Sequence, residues 1–437
     1  MIRVIFATAF AVVAALPAQA AVQIQELTSP GGIRAWLVEE HSLPFTALEI
    51  RFEGGTSLDA PGKRGATLLM TSLLEEGAGK MTSQDFATAR EALAADLSFD
   101  AGDDAVTISA QMLTENRDQV VALLKSALTE PRFDQDAIDR VRAQIESIIR
   151  QDETDPSAIA GRTFDYLAFG DHPYGSSKYG TLESLAGLTR DDLVAAKAAT
   201  MSRDRISVAA VGDIDAATLG KIIDDLLGSL PAKGAAMPPH AMLGLTGGVT
   251  VSDFDSPQSV VNFGQAGIRR DDPDFFAAYV LNHVLGGDGF SARLMDEVRE
   301  KRGLTYGIGS YLVPVNLAET WQGSFSSANE KVAEAIAVTR KVWADVAANG
   351  VTEKELEAAK TYLTGSYPLR FDGNGRIADI LVGMMAEGLP ASYVNDRNSY
   401  VEAVTLDDVK RVAKRLMTPD ALRFVVVGKP VGLETTN

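Results

Sequence analysis

Hydrophobic and polar positions in the first half of the chain change between a period of two and a period near 3.6. Ala47–Phe52 and Val106–Met112 alternate as half-buried strands do. Between them, Gly65–Leu74 is an apolar run that predicts a buried helix, and Thr82-Ser-Gln-Asp85 predicts the capped start of a second helix. The apolar face of that second helix is predicted to carry Phe86, Ala89, Leu93 and Leu97.

The same order of patterns returns later in the chain. Asn116–Leu128 and Ile138–Arg150 predict two more helices in the first half. In the second half, a strand pattern is followed by two helix patterns that flank a glycine-rich loop at 286–289. These second-half segments are Val260–Phe263, Phe275–Leu285 and Ala292–Lys301. Each half therefore reads as α+β, a sheet with a layer of helices.

Two stretches of the chain resemble each other at a constant distance. Leu188–Leu193 resembles Val404–Val409, and Met201–Gly212 resembles Met417–Gly428. Val404 lies 216 positions after Leu188, and Gly428 lies 216 positions after Gly212. In both copies a Thr-x-Asp-Asp sequence opens a helix, and a β-branched run that ends in Gly predicts a central strand. A period this long indicates a duplicated domain rather than a solenoid.

The domain boundary is predicted in a stretch rich in Pro, Gly and Ala that shows neither period. We expect an N-terminal domain over residues 21–231, a linker over 232–241 and a C-terminal domain over 242–437. Residues 1–20 read as a cleaved secretory signal, with Arg3 before an apolar run and Ala18-Gln-Ala20 as the cleavage site. The alternative is a buried N-terminal helix. The signal predicts a periplasmic location.

Composition narrows the possible partners. The chain has no cysteine, so it has no disulfide framework, no thiolate metal site and no cysteine for a lipid anchor after the signal. Beyond the signal, no segment is apolar for long enough to cross a membrane, so no membrane anchor is expected. The formal net charge of −18 disfavours nucleic acid and anionic membranes. It is explained by solubility or, alternatively, by recruitment of basic peptides.

The second half carries the most specific motif. It consists of Gly286-Gly287, Ser291-Ala-Arg-Leu294 and Arg299-Glu-Lys-Arg-Gly-Leu-Thr-Tyr306. Together with the duplication, this motif resembles the pitrilysin/insulinase (inverzincin) metallopeptidases, especially the short branch that includes processing peptidases. The resemblance implies two homologous sheet-plus-helix halves that form half of a clam-shell. It also implies that Arg299 and Tyr306 contact the scissile peptide and its oxyanion, with Gly286 and Gly287 in the substrate-binding region.

The zinc motif of that family is degenerate in this chain. Active relatives carry His-x-x-Glu-His on a helix, because two His at i and i+4 reach one zinc ion and the Glu takes a proton from zinc-bound water. Those positions fall on Leu68, Thr71 and Ser72, and the later Glu falls on Ile148. A shifted alignment would place Glu146 there instead. The four histidines lack ligand spacing, so we expect no metal in this chain and expect zinc in a partner subunit.

The resemblance and the lost ligands together suggest one function and leave others open. The leading hypothesis is a zinc-free subunit of a heterodimeric periplasmic metalloendopeptidase, which is active only with a homologous His-x-x-Glu-His subunit and supplies Arg299 and Tyr306 in trans. The alternative is a catalytically inert structural or binding subunit of a larger complex. In that case Arg299 and Tyr306 are dispensable and the partner is not a peptidase. For the pair itself, the alternative to a functional role is Arg299 in a surface salt bridge and Tyr306 in a strand core. A self-sufficient peptidase with an unrecognised site is the third hypothesis.

Overall fold

A computed structural model describes residues 23–287, 289 and 291–436 of the chain, so the predicted signal at 1–20 lies outside the described residues. The strands are β1 Gln25–Thr28, β2 Arg34–Glu39, β3 Phe45–Glu53, β4 Asp96–Ala101, β5 Ala105–Leu113, β6 Ile206–Gly212, β7 Gly248–Asp253, β8 Gln258–Ala266, β9 Ile308–Val315, β10 Ala318–Ala328 and β11 Arg423–Gly428. The helices are α1 Ala66–Ser72, α2 Ser83–Ala92, α3 Arg117–Thr129, α4 Gln135–Asp152, α5 Pro156–Phe169, α6 Leu182–Ala186, α7 Arg190–Thr200, α8 Ala216–Leu227, α9 Phe275–Gly286, α10 Val332–Asn349, α11 Glu353–Ser366, α12 Asn374–Ala386, α13 Tyr393–Glu402 and α14 Leu406–Leu416.

The strands form two sheets that share a five-strand topology, and the first sheet has β1 as an additional edge strand. The first has the order β1-β2-β6-β3-β5-β4, and the second has the order β7-β11-β8-β10-β9. In each sheet the last strand of the half is central, and it pairs in parallel with one neighbour and antiparallel with the other. The equivalent edge strands are β4 and β9. The predicted α+β fold with two homologous sheet-plus-helix halves is confirmed.

The duplicated helix starts are also confirmed in atomic detail. The Thr189 hydroxyl accepts from the backbone N–H of Asp192, and the Asp192 carboxylate accepts from the backbone N–H of Thr189. Thr405 and Asp408 form the same capping box at the start of α14. Such a box satisfies N–H groups that have no partner inside the helix. The strand that follows each helix is buried along most or all of its length, as a central strand must be.

Two sequence-based predictions of helices are wrong in part. Leu97 lies on β4 rather than on α2, which ends at Ala92. Leu97 still packs into the core because the start of β4 also faces it. The predicted helix over Ala292–Lys301 contains a π-helical segment, Met295–Glu300. π-helical turns are rare and occur frequently at functional sites.

The two halves exchange a helix. The first-half helix α5 packs on β8 and β11 of the second sheet, and the second-half helix α12 packs on β3 and β6 of the first sheet. Each contact buries its own apolar cluster, with Phe164 against Val425 and Val427 in one and Leu381 against Trp36 in the other. In each sheet, one face packs on the helices of its own half, and the other face is covered in part by a helix of the opposite half.

The segment between the sheets runs over both halves. Residues 231–247 form no helix or strand. The backbone N–H of Ala235 donates to the carbonyl of Ala199 on α7, and that of Ala241 donates to the carbonyl of Leu317 beside β10. The domain boundaries at 231 and 242 stay a prediction. Among the helices that the structure describes, none combines the length and apolarity needed to cross a membrane.

Candidate functional site

The positions of the family's zinc ligands lie on α1, where the side chains serve the helix itself. The Asp59 carboxylate accepts from the backbone N–H groups of Gly65 and Thr67 and so caps the helix start. The hydroxyls of Thr71 and Ser72 donate to the carbonyls four residues earlier, at 2.8 and 2.9 Å. Leu68 is half-buried against the core of the first half. Alkyl and hydroxyl groups replace imidazole here, so these residues do not fit zinc.

The position of the later glutamate offers no replacement ligand. Ile148 lies on α4 and is partly exposed. Glu146, on the same helix, pairs with Arg150 at 2.9 Å. Across the described residues no group of three or more His, Asp and Glu side chains is placed to hold a metal ion.

The four histidines are dispersed, and each has a local environment of its own. His41 pairs with Asp213 at 2.7 Å, and this hydrogen bond raises the pKa of the imidazole. His172 lies within hydrogen-bond distance of the carbonyl of Pro239. His240 lies 2.9 Å from Glu319, and His283 stacks on the ring of Tyr362.

Arg299 and Tyr306 line one open groove of about 470 Å³ at the end of the second sheet, here called the Arg–Tyr groove. Arg299 lies in the π-helical turn, and Tyr306 lies just before β9. The Tyr306 side chain is 86% exposed, so the alternative that placed it in a strand core is wrong. Arg299 donates to the neighbouring Glu300 at 2.8 Å, which agrees with a surface salt bridge. That contact is exposed and so contributes little to stability.

The loop that carries Tyr306 is tied to the end of β10. The Thr305 hydroxyl donates to the carbonyl of Ser326 at 2.7 Å, and the Ser327 hydroxyl donates to the carbonyl of Leu304 at 2.6 Å. Lys331 reaches the carbonyl of Gly303 at 3.1 Å. These bonds hold the backbone while the Tyr306 ring projects into solvent. The groove thus carries a guanidinium and a phenol, both of which can donate hydrogen bonds.

Gly286 and Gly287 line a different cavity from the Arg–Tyr groove. A Cβ at position 286 would lie 2.5 Å from the Ser310 hydroxyl and 2.7 Å from its backbone nitrogen, so glycine allows the end of α9 to approach β9. Both glycines border a cavity of about 460 Å³ between α9, β9 and α11. The structure therefore brings Arg299 and Tyr306 together and places the two glycines apart from them.

Sequence reasoning missed the polar and aromatic side chains of that second cavity. Arg397 is only 5% exposed, and it lies over the rings of Tyr279 and Tyr367. Asn282 and Arg370 also line the cavity. The sequence signal for this cavity is the stretch 362–371 between two helix patterns, which carries Tyr362, Tyr367, Arg370 and Phe371. That signal says nothing about Arg397, which comes from a distant helix.

Comparisons with known proteins agree on one family. Residues 34–182 match the family model described as insulinase (peptidase family M16), and residues 187–363 match the model described as the peptidase M16 inactive domain. The non-peptidase homolog YmxG of Helicobacter pylori is 26% identical over 390 residues, which is 89% of this chain and 90% of that protein. An uncharacterized zinc protease of Streptomyces coelicolor is 26% identical over 408 residues, 90% of this chain and 87% of that protein.

A solved structure supports the same assignment. The crystal structure of a peptidase M16 inactive domain from Pseudomonas fluorescens matches with a TM-score of 0.86 and 28% identity. The match covers 95% of this chain and 100% of that one. Both halves and their arrangement are therefore shared with this relative.

Proposed function

The chain belongs to the insulinase (M16) peptidase family, and we propose that it is the zinc-free partner subunit of a heterodimeric periplasmic metalloendopeptidase. A homologous subunit with an intact His-x-x-Glu-His motif supplies zinc and the general base. This chain completes the clam-shell around the peptide and presents Arg299 and Tyr306. The proposed location rests on the signal predicted at residues 1–20.

One contrast carries the proposal. The α1 positions that hold zinc in active relatives carry Leu68, Thr71 and Ser72, whereas Arg299 and Tyr306 line one groove open to solvent. Loss of the ligands with retention of the donors is expected for a subunit that binds a peptide which another subunit cuts. Of the two relatives described above, one is called a non-peptidase homolog and the other an uncharacterized zinc protease. These names fit a family that has both kinds of member.

The chemical role of the pair follows from what the two side chains donate. Zinc in the partner would activate water for attack on the peptide carbonyl. The Arg299 guanidinium offers a fork of N–H donors to the carbonyl oxygens of the bound peptide, including the scissile carbonyl as its oxygen becomes negative. The Tyr306 hydroxyl donates to the oxygen that becomes negative during attack, where a placed donor acts most strongly.

The test is reconstitution of the pair. The mature chain, purified with its partner after a pull-down from periplasmic extract, is assayed for hydrolysis of a quenched fluorescent peptide. Arg299→Ala is expected to lower kcat about 10²- to 10³-fold, as the loss of one oxyanion donor does. Tyr306→Phe should lower kcat while leaving the fold intact, because the hydroxyl is exposed.

Arg302→Ala is the matched control, since Arg302 lies on the same turn but pairs with Glu297 outside the groove. It should retain activity. If Arg299→Ala and Arg302→Ala pairs hydrolyse the peptide at the same rate as the unmodified pair, the proposed role of Arg299 is wrong.

A second candidate function is an inert structural or binding subunit of a larger complex. Two observations favour it, namely the similarity to a non-peptidase homolog and the ion pair that Arg299 forms with Glu300. It predicts that Arg299→Ala and Tyr306→Phe change nothing, and that the protein recovered in the pull-down lacks a His-x-x-Glu-His motif.

A further inference from the structure

The cavity that Gly286 and Gly287 border continues into a second cavity of about 600 Å³ along α12. The two share six lining residues, namely Tyr279, Asn282, Tyr311, Tyr367, Arg370 and Arg397. We propose that this joined cavity, here called the carboxylate cavity, binds the free C-terminal carboxylate and apolar last residue of a peptide. The proposal goes beyond the partner role above and does not depend on it, because it concerns binding by this chain alone.

Arg397 is the strongest reason to expect an anion. Its guanidinium is buried, donating at 2.7 Å to the carbonyl of Leu363, at 3.1 Å to Asn398 and at 3.1 Å to the Tyr279 hydroxyl. Throughout the described residues no carboxylate lies within ion-pair distance of it. The rings of Tyr279 and Tyr367 compensate part of the cost of burying this charge. A bound carboxylate would supply the opposite charge that a buried cation otherwise lacks.

Asn282 adds a donor whose direction is determined by its neighbours. Its Oδ1 accepts from the Ser310 hydroxyl and from Trp321 Nε1, both at 2.8 Å. Because an indole nitrogen only donates, the atom facing it must be the amide oxygen. The Nδ2 group is thereby left to the cavity, and within the described chain it has no protein acceptor.

The remaining polar groups of this end are cationic or neutral. Arg370, at the end of the turn Tyr367–Arg370, is exposed and forms no ion pair with any described residue. Burial raises the pKa of Tyr367 to about 12 and also raises the pKa of Tyr311, so both hydroxyls stay neutral near pH 7 and can donate. The 460 Å³ part of the cavity has no Asp or Glu in its lining. In a chain with a net charge of −18, such a concentration of donors points to an anionic ligand.

The far end of the cavity identifies the rest of the ligand. Phe276, Leu312, Ile380 and Met384 supply apolar walls there. Of the two acids at this end, Glu387 pairs with Arg270 at 3.2 Å, and Asp379 is exposed on α12. Each part of the cavity has a volume typical of small-ligand sites. A carboxylate beside an apolar side chain matches this order of donors and apolar walls, whereas inorganic phosphate would leave the walls uncovered.

The first experiment measures binding to the purified full chain by isothermal titration calorimetry. The probes are the tripeptide Ala-Ala-Phe as its free acid, the same tripeptide as its C-terminal amide, and 3-phenylpropionate. The free acid is expected to bind at least about tenfold more tightly than the amide, since hydrogen bonds to a charged group are lost in the amide. Equal binding of acid and amide, or no binding of either, would overturn the proposal. Binding of 3-phenylpropionate as tight as that of the tripeptide would replace the peptide by a small aromatic acid.

Variants then assign the effect to the cavity. Asn282→Asp keeps the acceptor for Trp321 but puts a negative charge where the amide donated, and it should weaken the free acid about tenfold or more. Arg370→Ala should weaken the free acid about fivefold, a smaller loss because Arg370 is exposed to solvent. Arg376→Ala is the matched control, an exposed arginine on α12 outside the cavity lining, and it should bind as the unmodified chain does.

Both cavity variants should retain the circular dichroism spectrum and unfolding midpoint of the parent. Full affinity for the free acid in folded Asn282→Asp and Arg370→Ala proteins would refute the assignment of the carboxylate to this cavity.

Discussion

The buried carboxyl group of Glu49 is expected to make the free energy of unfolding depend on pH, and one substitution can test this. It lies in the middle of β3, is buried, and faces the side of the sheet that α12 covers. The hydroxyl of Ser109 donates to its carboxylate at 2.7 Å. Burial raises the pKa of Glu49 to about 7 from its ordinary value of 4.5, and the carboxylates of Asp379 and Asp100 raise it further. The folded protein therefore holds a proton there that the unfolded chain releases.

The sign and size of the effect follow from this difference. Between pH 4.5 and pH 7 the folded state binds more protons at Glu49 than the unfolded state, so this residue lowers the free energy of unfolding as pH rises through that window. Above pH 7 the full cost is present. At about 1.4 kcal/mol for each pKa unit, charging Glu49 in the folded protein costs on the order of 3 kcal/mol. Below pH 4.5 the carboxyl is neutral in both states and the cost disappears.

Glu49→Gln removes the charge and keeps both the shape and an acceptor for Ser109. We expect urea unfolding to show the variant more stable than the parent by up to about 3 kcal/mol at pH 8, with little difference at pH 4. Glu26→Gln, at an exposed position on β1, is the matched control and should stay within about 0.5 kcal/mol of the parent at both pH values. A destabilised Glu49→Gln at pH 8, or a difference that does not change with pH, would refute the reasoning.

Two further predictions concern the second half, one about close packing at a glycine and one about an ion pair. A Cβ on Gly264 would lie 2.7 Å from the ring of Phe164 on α5, so Gly264→Ala should lower the free energy of unfolding by about 1–3 kcal/mol. Gly365→Ala, on α11 with open space around it, should raise it by up to about 1 kcal/mol, and urea titrations that ranked the two in the opposite order would contradict this. Arg293 donates two hydrogen bonds to Glu355 at 2.7 and 2.8 Å, and these lower the pKa of Glu355 to about 2. The stability that this pair contributes is present above pH 4.5 and is lost as pH falls toward 2. Arg293→Lys should therefore lower the free energy of unfolding by about 1 kcal/mol at pH 7 and by less at low pH. A loss that does not change with pH would argue against the pair.

Local patterns were sufficient to predict much of the fold. The Thr-x-Asp-Asp starts of α7 and α14 carry their own capping chemistry, and the β-branched runs after them need no distant information to be read as strands. The spacing of Phe86 and Leu93 predicts Leu97 on the same face of a helix. Helix α2 instead ends at Ala92, and Ala94, whose φ is +48°, turns the chain toward β4.

The exchange of helices between the halves was beyond local patterns, although a signal for it exists. Gly161-Arg-Thr-Phe-Asp165 on α5 resembles Gly375-Arg-Ile-Ala-Asp379 on α12, and both the Gly and the Asp recur after 214 positions. The repeat shows that the two helices are equivalent. It does not show which sheet each covers, because an apolar face fits either sheet. Tertiary packing alone decides that α5 lies on β8 and α12 on β3.

The candidate site was predictable to the extent that it is a contiguous motif. Arg299 and Tyr306 are seven residues apart, and the structure places both in one groove. The carboxylate cavity was not predictable because its donors come from α9, α13 and the turn after α11. Arg397 and Asn282 are 115 positions apart and are brought to one cavity only by the fold.

The exchanged helices also explain why a chain without zinc ligands needs its whole first half. One wall of the carboxylate cavity is α12, and α12 is held in place by Trp36 and Val211 of the first sheet. The first half therefore positions residues of the second half whether or not α1 holds a metal. Replacement of zinc ligands by Leu68 and Ser72 costs that framework little, because the hydroxyl bonds within its own helix and the alkyl chain packs on the core. The framework on which the second half depends is therefore kept although the α1 positions carry no imidazole.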